Sequence, residues 1–103
     1  MKVRWYPYAL EALQQTAYYI TINFSESSCN KFLREVVRIE NLLCTNPHLG
    51  KIEPLLEGLP QVYRSVVVSH INKLIYRIEG DIIYISDLWD CRRDPSTLAA
   101  QVK

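Results

Sequence analysis

The chain has 103 residues, a formal net charge of +1 and a hydrophobic fraction of 49%. This length suits one small domain, and we predict a single domain over residues 1–103. The hydrophobic fraction excludes an intrinsically disordered chain. No apolar run approaches the roughly 20 residues needed to span a bilayer, and the N-terminus has no uninterrupted apolar segment of the signal-peptide kind. We therefore expect a cytoplasmic protein that does not associate with a membrane.

The cysteines argue against a metal centre. The three residues, Cys29, Cys44 and Cys91, are widely spaced and form neither a C-x-x-C pair nor a zinc-ligand pattern. The sequence thus predicts no metal site, and we expect no bound cofactor.

The N-terminal part predicts a short strand and then a helix. Polar and apolar residues alternate over Lys2–Tyr6, which is typical of an edge strand that ends before Pro7. Apolar residues then recur at three- and four-residue steps over Tyr8–Phe24, which predicts a helix. The residues of this apolar stripe are Leu10, Leu13, Ala17, Ile20 and Phe24, with Tyr18, Tyr19 and Ile22 beside them.

A second helix is predicted over Glu26–Thr45. Its apolar stripe consists of Phe32, Val36, Ile39 and Leu43. Asn46-Pro47 ends it, because the residue before a proline disfavours the helical conformation. So few residues join the two helices that they must fold back as an antiparallel hairpin. Residues Pro47–Gln61 are rich in proline and glycine, which predicts an irregular connection.

The second half of the chain predicts three strands joined by tight turns. The segments Val62–Ser69, Lys73–Ile78 and Ile82–Trp89 are rich in Val, Ile and Tyr, and polar turn residues separate them. The fold class is therefore α+β, with a short N-terminal strand, an antiparallel two-helix hairpin and a three-stranded antiparallel meander. The last strand is apolar on both faces and should be central. Strict alternation would place Ile83, Ile85 and Asp87 on one face, and Ile82, Tyr84, Ser86 and Leu88 on the other.

The order of these elements and several short motifs resemble the RelE/ParE superfamily of bacterial type II toxins, often called plasmid stabilisation proteins. The matching stretches are NPHLGK before the sheet, YRSVVV and KLIYRIEGDIIYI within it, and WDCRRDP at its end. The resemblance implies a RelE/ParE toxin-like fold and the toxin component of a toxin–antitoxin system. It also implies neutralisation by a cognate antitoxin, whose disordered tail folds as it wraps the toxin, and it allows a homodimer when the antitoxin is absent.

Two activities are known in this superfamily, and the motifs leave both open. ParE-like members bind DNA gyrase and stabilise its broken DNA without chemistry of their own, whereas RelE-like members cleave mRNA in the ribosomal A site. The WDCRRDP ending slightly favours gyrase inhibition, because RelE-like enzymes carry a Tyr or His after the last strand and this chain has neither there. Whether the protein is an enzyme stays open. A third reading is a non-toxic relic that only binds its antitoxin.

Basic residues around the sheet are the candidate site. For a RelE-like endoribonuclease the resemblance points to Arg64, Lys73 and Arg92 as catalytic cations on one concave face, with Arg93 beside them. Asp90 is then a candidate base, although an ordinary aspartate, with a pKa of about 3.9, is a poor one.

For a role in binding a target or a phosphate group, the candidates are Trp89, Arg92 and Arg93. The two imidazoles, His48 and His70, are expected in an exposed loop and a turn. In every reading we expect an apolar groove between the helical hairpin and the sheet that receives an antitoxin segment, because so small a domain does not cover all its apolar surface.

Overall fold

The computed structural model describes residues 1–69 and 71–102 and confirms the α+β class. Its regular elements are β1 (Lys2–Trp5), α1 (Pro7–Asn23), α2 (Glu26–Thr45), β2 (Lys51–Ile52), β3 (Arg64–Ser69), β4 (Asn72–Glu79), β5 (Ile82–Asp90) and α3 (Leu98–Gln101). Single 3₁₀ turns occur at Pro54–Leu56 and Pro95–Thr97. Within these residues, no helix has the length and apolar character that crossing a membrane requires.

The sheet has five strands in the order β1-β5-β4-β3-β2. Strand β1 runs parallel to β5, and the other pairs are antiparallel. The predicted meander is present as β3, β4 and β5, but the three-stranded description was incomplete. Strand β2 lies inside the segment predicted to be irregular and pairs Lys51 with Ser65 and Ile52 with Arg64. Two residues are too few to show an alternating pattern, so this strand could not be predicted from periodicity.

A bulge in β5 changes which side chains share a face. Ile75 of β4 lies opposite Asp87, whereas the next residue, Tyr76, lies opposite Ile85, so Ser86 is an extra residue in β5. A single inserted residue reverses the faces of all later side chains. The predicted alternation was therefore wrong beyond Ser86, because Asp87 lies on the face opposite Ile85 and Leu88 lies on the same face as Ile85.

The two faces of the sheet carry separate apolar cores. The helix-side face packs against α2, whose predicted stripe is confirmed, since Phe32, Val36, Ile39 and Leu43 are all buried. The opposite face, which we call the C-terminal face, is covered by the last residues of the chain. Its buried apolar residues are Leu56, Tyr63, Ile75, Trp89 and Leu98.

Helix α1 packs differently from its predicted stripe. Ala9 is the residue of α1 that is fully buried, and Ala12, Leu13 and Ile20 pack beside the helix-side core. The predicted stripe residues Leu10 and Phe24 are instead exposed. The small side chains of Ala9 and Ala12 let α1 approach the core closely, whereas Leu10 and Phe24 lie on parts of α1 and its end that face away from the core.

The connection after α2 is fixed by a tyrosine from the sheet. The buried Tyr76 hydroxyl donates a hydrogen bond to the Pro47 carbonyl at 2.7 Å and accepts one from the Gly50 N–H at 2.9 Å. A Cβ atom at Gly50 would lie 2.7 Å from the Ser65 carbonyl oxygen. The NPHLGK motif therefore needs glycine at this position, because the backbone passes directly over the sheet.

Candidate functional site

The turn that follows β5 is held by Asp90. Its carboxylate accepts hydrogen bonds from the Arg92 side chain at 3.0 and 2.8 Å and from the Arg92 backbone N–H at 2.9 Å. The Arg92 side chain lowers the pKa of Asp90, an effect that outweighs the opposing effect of burial. Asp90 is thus ionised near neutral pH and already paired, which makes it a weak general base.

Arg93 points to a different place from Arg92. Its guanidinium lies 4.7 Å from the centroid of the Trp89 ring, a cation–π contact. Trp89 itself is only 1% exposed and belongs to the core of the C-terminal face. In this conformation the Trp89 ring packs against the Arg93 guanidinium and is not accessible to a partner.

Lys73 forms an ion pair with Glu53, a residue that sequence reasoning missed. Glu53 is 1% exposed, and its carboxylate also accepts the Leu55 N–H at 2.8 Å. Burial acts to raise the pKa of Glu53, but the hydrogen bonds from Leu55, Lys73 and Ser65 together lower it. The positive charge of Lys73 is thereby neutralised by a fixed partner. The available signal was Pro54, since proline is common at the first position of a helical turn and marks the preceding residue, Glu53, as its cap.

Arg64 lies on the helix-side face, opposite Tyr76, and donates to the Gly50 carbonyl at 2.8 Å. Lys73, by contrast, shares the C-terminal face with Trp89. Arg92 follows the end of β5, which lies beside Asn72. Asn72 is four residues along β4 from Tyr76, the partner of Arg64, and this separation corresponds to roughly 13 Å. The expectation that the four cations converge on one concave face is therefore wrong, because sheet alternation and strand length separate them.

Of the two predicted histidines, the structure describes His48. His48 is exposed in the turn after α2, and His70 lies outside the described residues. Within residues 1–69 and 71–102, no three His, Cys, Asp or Glu side chains come together as a metal site would require.

A groove with a volume of about 440 Å³ lies between the helical hairpin and the turn that joins β3 to β4. Its apolar lining consists of Tyr19, Ile20, Phe24, Phe32, Val68 and Ile71. Lys31, Glu35 and Arg92 add charge to the lining. The feature is thus a mainly apolar groove with a few charged positions, as small-ligand and peptide sites commonly are.

Exposed apolar groups continue beyond this groove. Phe24 is 70% exposed, and its ring meets that of Tyr19 edge-on with centroids 6.3 Å apart. Strand β2 pairs only with Arg64 and Ser65, so among the described residues no strand covers the outer edge of β3 beyond Ser65. Val67 on that edge is 67% exposed. An uncovered apolar edge of this kind is a common place for another chain to pair.

The same architecture occurs in solved toxin structures. A chromosomal ParDE toxin–antitoxin system from P. aeruginosa matches with a TM-score of 0.70 at 16% identity, over 87% of this chain and 95% of that chain. The chain has the RelE/ParE toxin fold. A YoeB dimer from Staphylococcus aureus matches with a TM-score of 0.60 at 22% identity, over 85% of this chain and 93% of that one.

A heterotetrameric YoeB-YefM toxin–antitoxin complex, also from Staphylococcus aureus, matches with a TM-score of 0.55 at 19% identity, over 85% of this chain and 93% of that chain. No protein-family model and no curated protein sequence matches the chain. Since these structures are distant in sequence, the RelE/ParE likeness is one of fold.

Proposed function

We propose that this protein is the toxin of a bacterial type II toxin–antitoxin pair and acts in the cytoplasm. The apolar groove beside the connection between α1 and α2 carries the proposal, because it leaves Tyr19 and Phe24 exposed on a toxin fold. Proteins of the same fold include a ParDE system and a YoeB-YefM complex, both described as toxin–antitoxin assemblies.

The groove is the proposed seat of the cognate antitoxin. An apolar side chain from the antitoxin would bury Phe24, and each fully buried side chain of this size contributes about 1.5–3 kcal/mol. An extended part of the antitoxin would pair with the open edge of β3 beside the groove. When antitoxin is absent, a second copy of the chain would cover the same apolar groups, and a YoeB protein of the same fold is described as a dimer.

For the target, the arrangement of charges favours inhibition of DNA gyrase by binding. Lys73 is neutralised by Glu53, and Asp90 is held by Arg92. RNA cleavage through the 2′-hydroxyl requires a base and a cation that are both free to contact the RNA. In these two ion pairs, each charged group is already held by its partner. In this proposal Arg92 and Arg93 contact the target from the exposed turn after β5.

The alternative is a ribosome-dependent mRNA endoribonuclease. The exposed Arg92 in the lining of the apolar groove favours it, because such a cation can contact an RNA phosphate. In that case Arg92 would contact the phosphate, whereas Arg64 and Lys73, which lie on opposite faces of the sheet, would not act on it together. A toxin fold without toxicity, which only binds an antitoxin, is the remaining reading.

The deciding experiment is inducible expression in a bacterial host with labelled precursors of DNA and protein. We expect DNA synthesis to stop first, with an SOS response, and purified protein to accumulate cleaved DNA with gyrase. Arg92→Ala combined with Arg93→Ala should abolish both effects, whereas Arg34→Ala on the outer face of α2 should not. Early loss of protein synthesis with cuts in the A-site codon would establish the ribonuclease instead, and growth without arrest would leave only antitoxin binding.

The groove is tested separately by antitoxin rescue. Phe24→Asp places a charge in the groove, so co-expressed antitoxin should no longer relieve toxicity or co-purify. Tyr18→Asp is the matched control, because Tyr18 is 71% exposed and lies outside the groove lining. Rescue of the Phe24→Asp variant as complete as that of Tyr18→Asp would show that the antitoxin binds elsewhere.

A further inference from the structure

The C-terminal face of the sheet buries the carboxyl group of Asp87. Asp87 is 1% exposed, and within the described residues neither of its oxygens has a hydrogen-bond partner. The neighbouring Leu88 amide is close enough to favour the charged form but is not in hydrogen-bond geometry. An ionised carboxylate is strongly disfavoured in such a place, and a buried group of this kind needs an explanation.

The C-terminal strap, residues 95–102, shuts this face off from water. Leu98 is fully buried and Val102 packs beside it, both against the cluster that contains Ile75 and Trp89. Ile75 is the cross-strand partner of Asp87, and Trp89 is two residues further along β5. The strap therefore covers the residues that surround Asp87.

The strap is held by few contacts. It consists of one 3₁₀ turn and one four-residue helix, α3. Two apolar side chains insert into the core, and the Tyr8 hydroxyl donates to the half-buried Gln101 side chain at 2.8 Å. Ordering eight residues costs conformational entropy that offsets much of the free energy gained by burying two side chains, so closure of the strap is only weakly favoured. Such a segment opens far more readily than the sheet beneath it.

We propose that the strap is a detachable cover whose closure is controlled by the protonation of Asp87. The strap closes over the neutral carboxyl group and is released when that group ionises, because an open strap lets water reach the carboxylate. Release also uncovers Trp89 and its cross-strand neighbour Lys73. The device is independent of whether the protein is a toxin.

The charges around Asp87 come from several elements. Strand β4 presents Lys73 and Arg77 on either side of Ile75, and the turn after β5 presents Arg93. Lys73 is paired with Glu53, and Arg77 with Glu79. Residues 95–102 of the strap itself carry no charge.

Burial dominates over these cations. It raises the pKa of Asp87 from 3.8 to about 6, while Arg93 and the Leu88 amide act in the opposite direction. A raised pKa in the closed state means that closure is fully favoured below the ordinary pKa and weakens as the pH rises through about 6. A shift of two pKa units corresponds to roughly a 100-fold change in the ratio of closed to open protein.

The test uses the full chain with Trp5→Phe, so that Trp89 is the remaining tryptophan. Acrylamide quenching of Trp89 fluorescence is followed from pH 4 to pH 8. We expect low quenching in acid and a rise, as the pH passes about 6, towards the level of a variant truncated after Asp94. Asp87→Asn should stay closed at all pH values, and the exposed-turn control Asp81→Asn should behave like the parent.

Far-UV circular dichroism separates strap release from unfolding of the sheet. If Asp87→Asn does not fold, Arg93→Gln provides the second test, because removing this cation should move the rise in quenching to higher pH. Flat quenching in the parent would overturn the proposal. So would an unchanged transition in folded Asp87→Asn, or in Arg93→Gln.

Discussion

Replacing Lys73 by Met tests whether this residue serves the fold. Methionine keeps most of the apolar length of the side chain but leaves Glu53, which is 1% exposed, without its counter-ion. Removing one partner of a buried ion pair costs about 3–5 kcal/mol. Glu53 keeps the hydrogen bond from Leu55, and the Lys73 side chain is 17% exposed. We therefore expect Lys73→Met to lower the free energy of unfolding by about 3 kcal/mol, the lower end of this range.

The free energies of unfolding are measured with urea at pH 7 for Lys73→Met, Glu53→Gln and the double variant. The loss in the double variant should be smaller than the sum of the two single losses by about 2 kcal/mol, because each single change leaves the other charge unpaired. Lys31→Met, on the exposed part of α2, is the matched control and should change the stability little.

The Lys73–Glu53 ion pair also predicts that the free energy of unfolding depends on pH. The pKa of Glu53 is lowered in the folded protein, so its contribution to stability is present above its ordinary pKa of 4.5 and is lost as the pH falls below that value. Glu53→Gln should lack this acid-side loss. A Lys73→Met variant that loses less than about 1 kcal/mol, with additive behaviour in the double variant, would refute the assignment of Lys73 to the fold.

Two further predictions concern local structure. Tyr76→Phe removes a buried hydroxyl that serves both Pro47 and Gly50, so the free energy of unfolding should fall by about 2–3 kcal/mol; a loss no larger than that of the exposed control Tyr18→Phe would contradict it. The Ser25 hydroxyl accepts the Ser28 N–H at 3.0 Å at the start of α2, so Ser25→Ala should cost about 1 kcal/mol in thermal unfolding. Ser27→Ala, within the same helix, should leave that stability nearly unchanged if the cap is responsible.

Much of the fold could be predicted because it depends on local patterns. The stripe of α2 repeats with the helical period, and burial against a sheet selects that face directly. The strands of the meander are adjacent in sequence and joined by short turns, so their pairing needs no long-range information. The stripe of α1 was less informative, because Leu10 and Phe24 fit the period of an apolar face that the fold leaves exposed.

The sequence by itself determined which residues could take part in a site: the basic and aromatic side chains after β5 and on the strands. Only the tertiary structure decided their partners. The bulge at Ser86 turned Asp87 and Trp89 towards the C-terminal face, and the connection after α2 brought Glu53 to Lys73. Such outcomes depend on register and on contacts between distant segments, whereas periodicity records only which face of its own element a residue occupies.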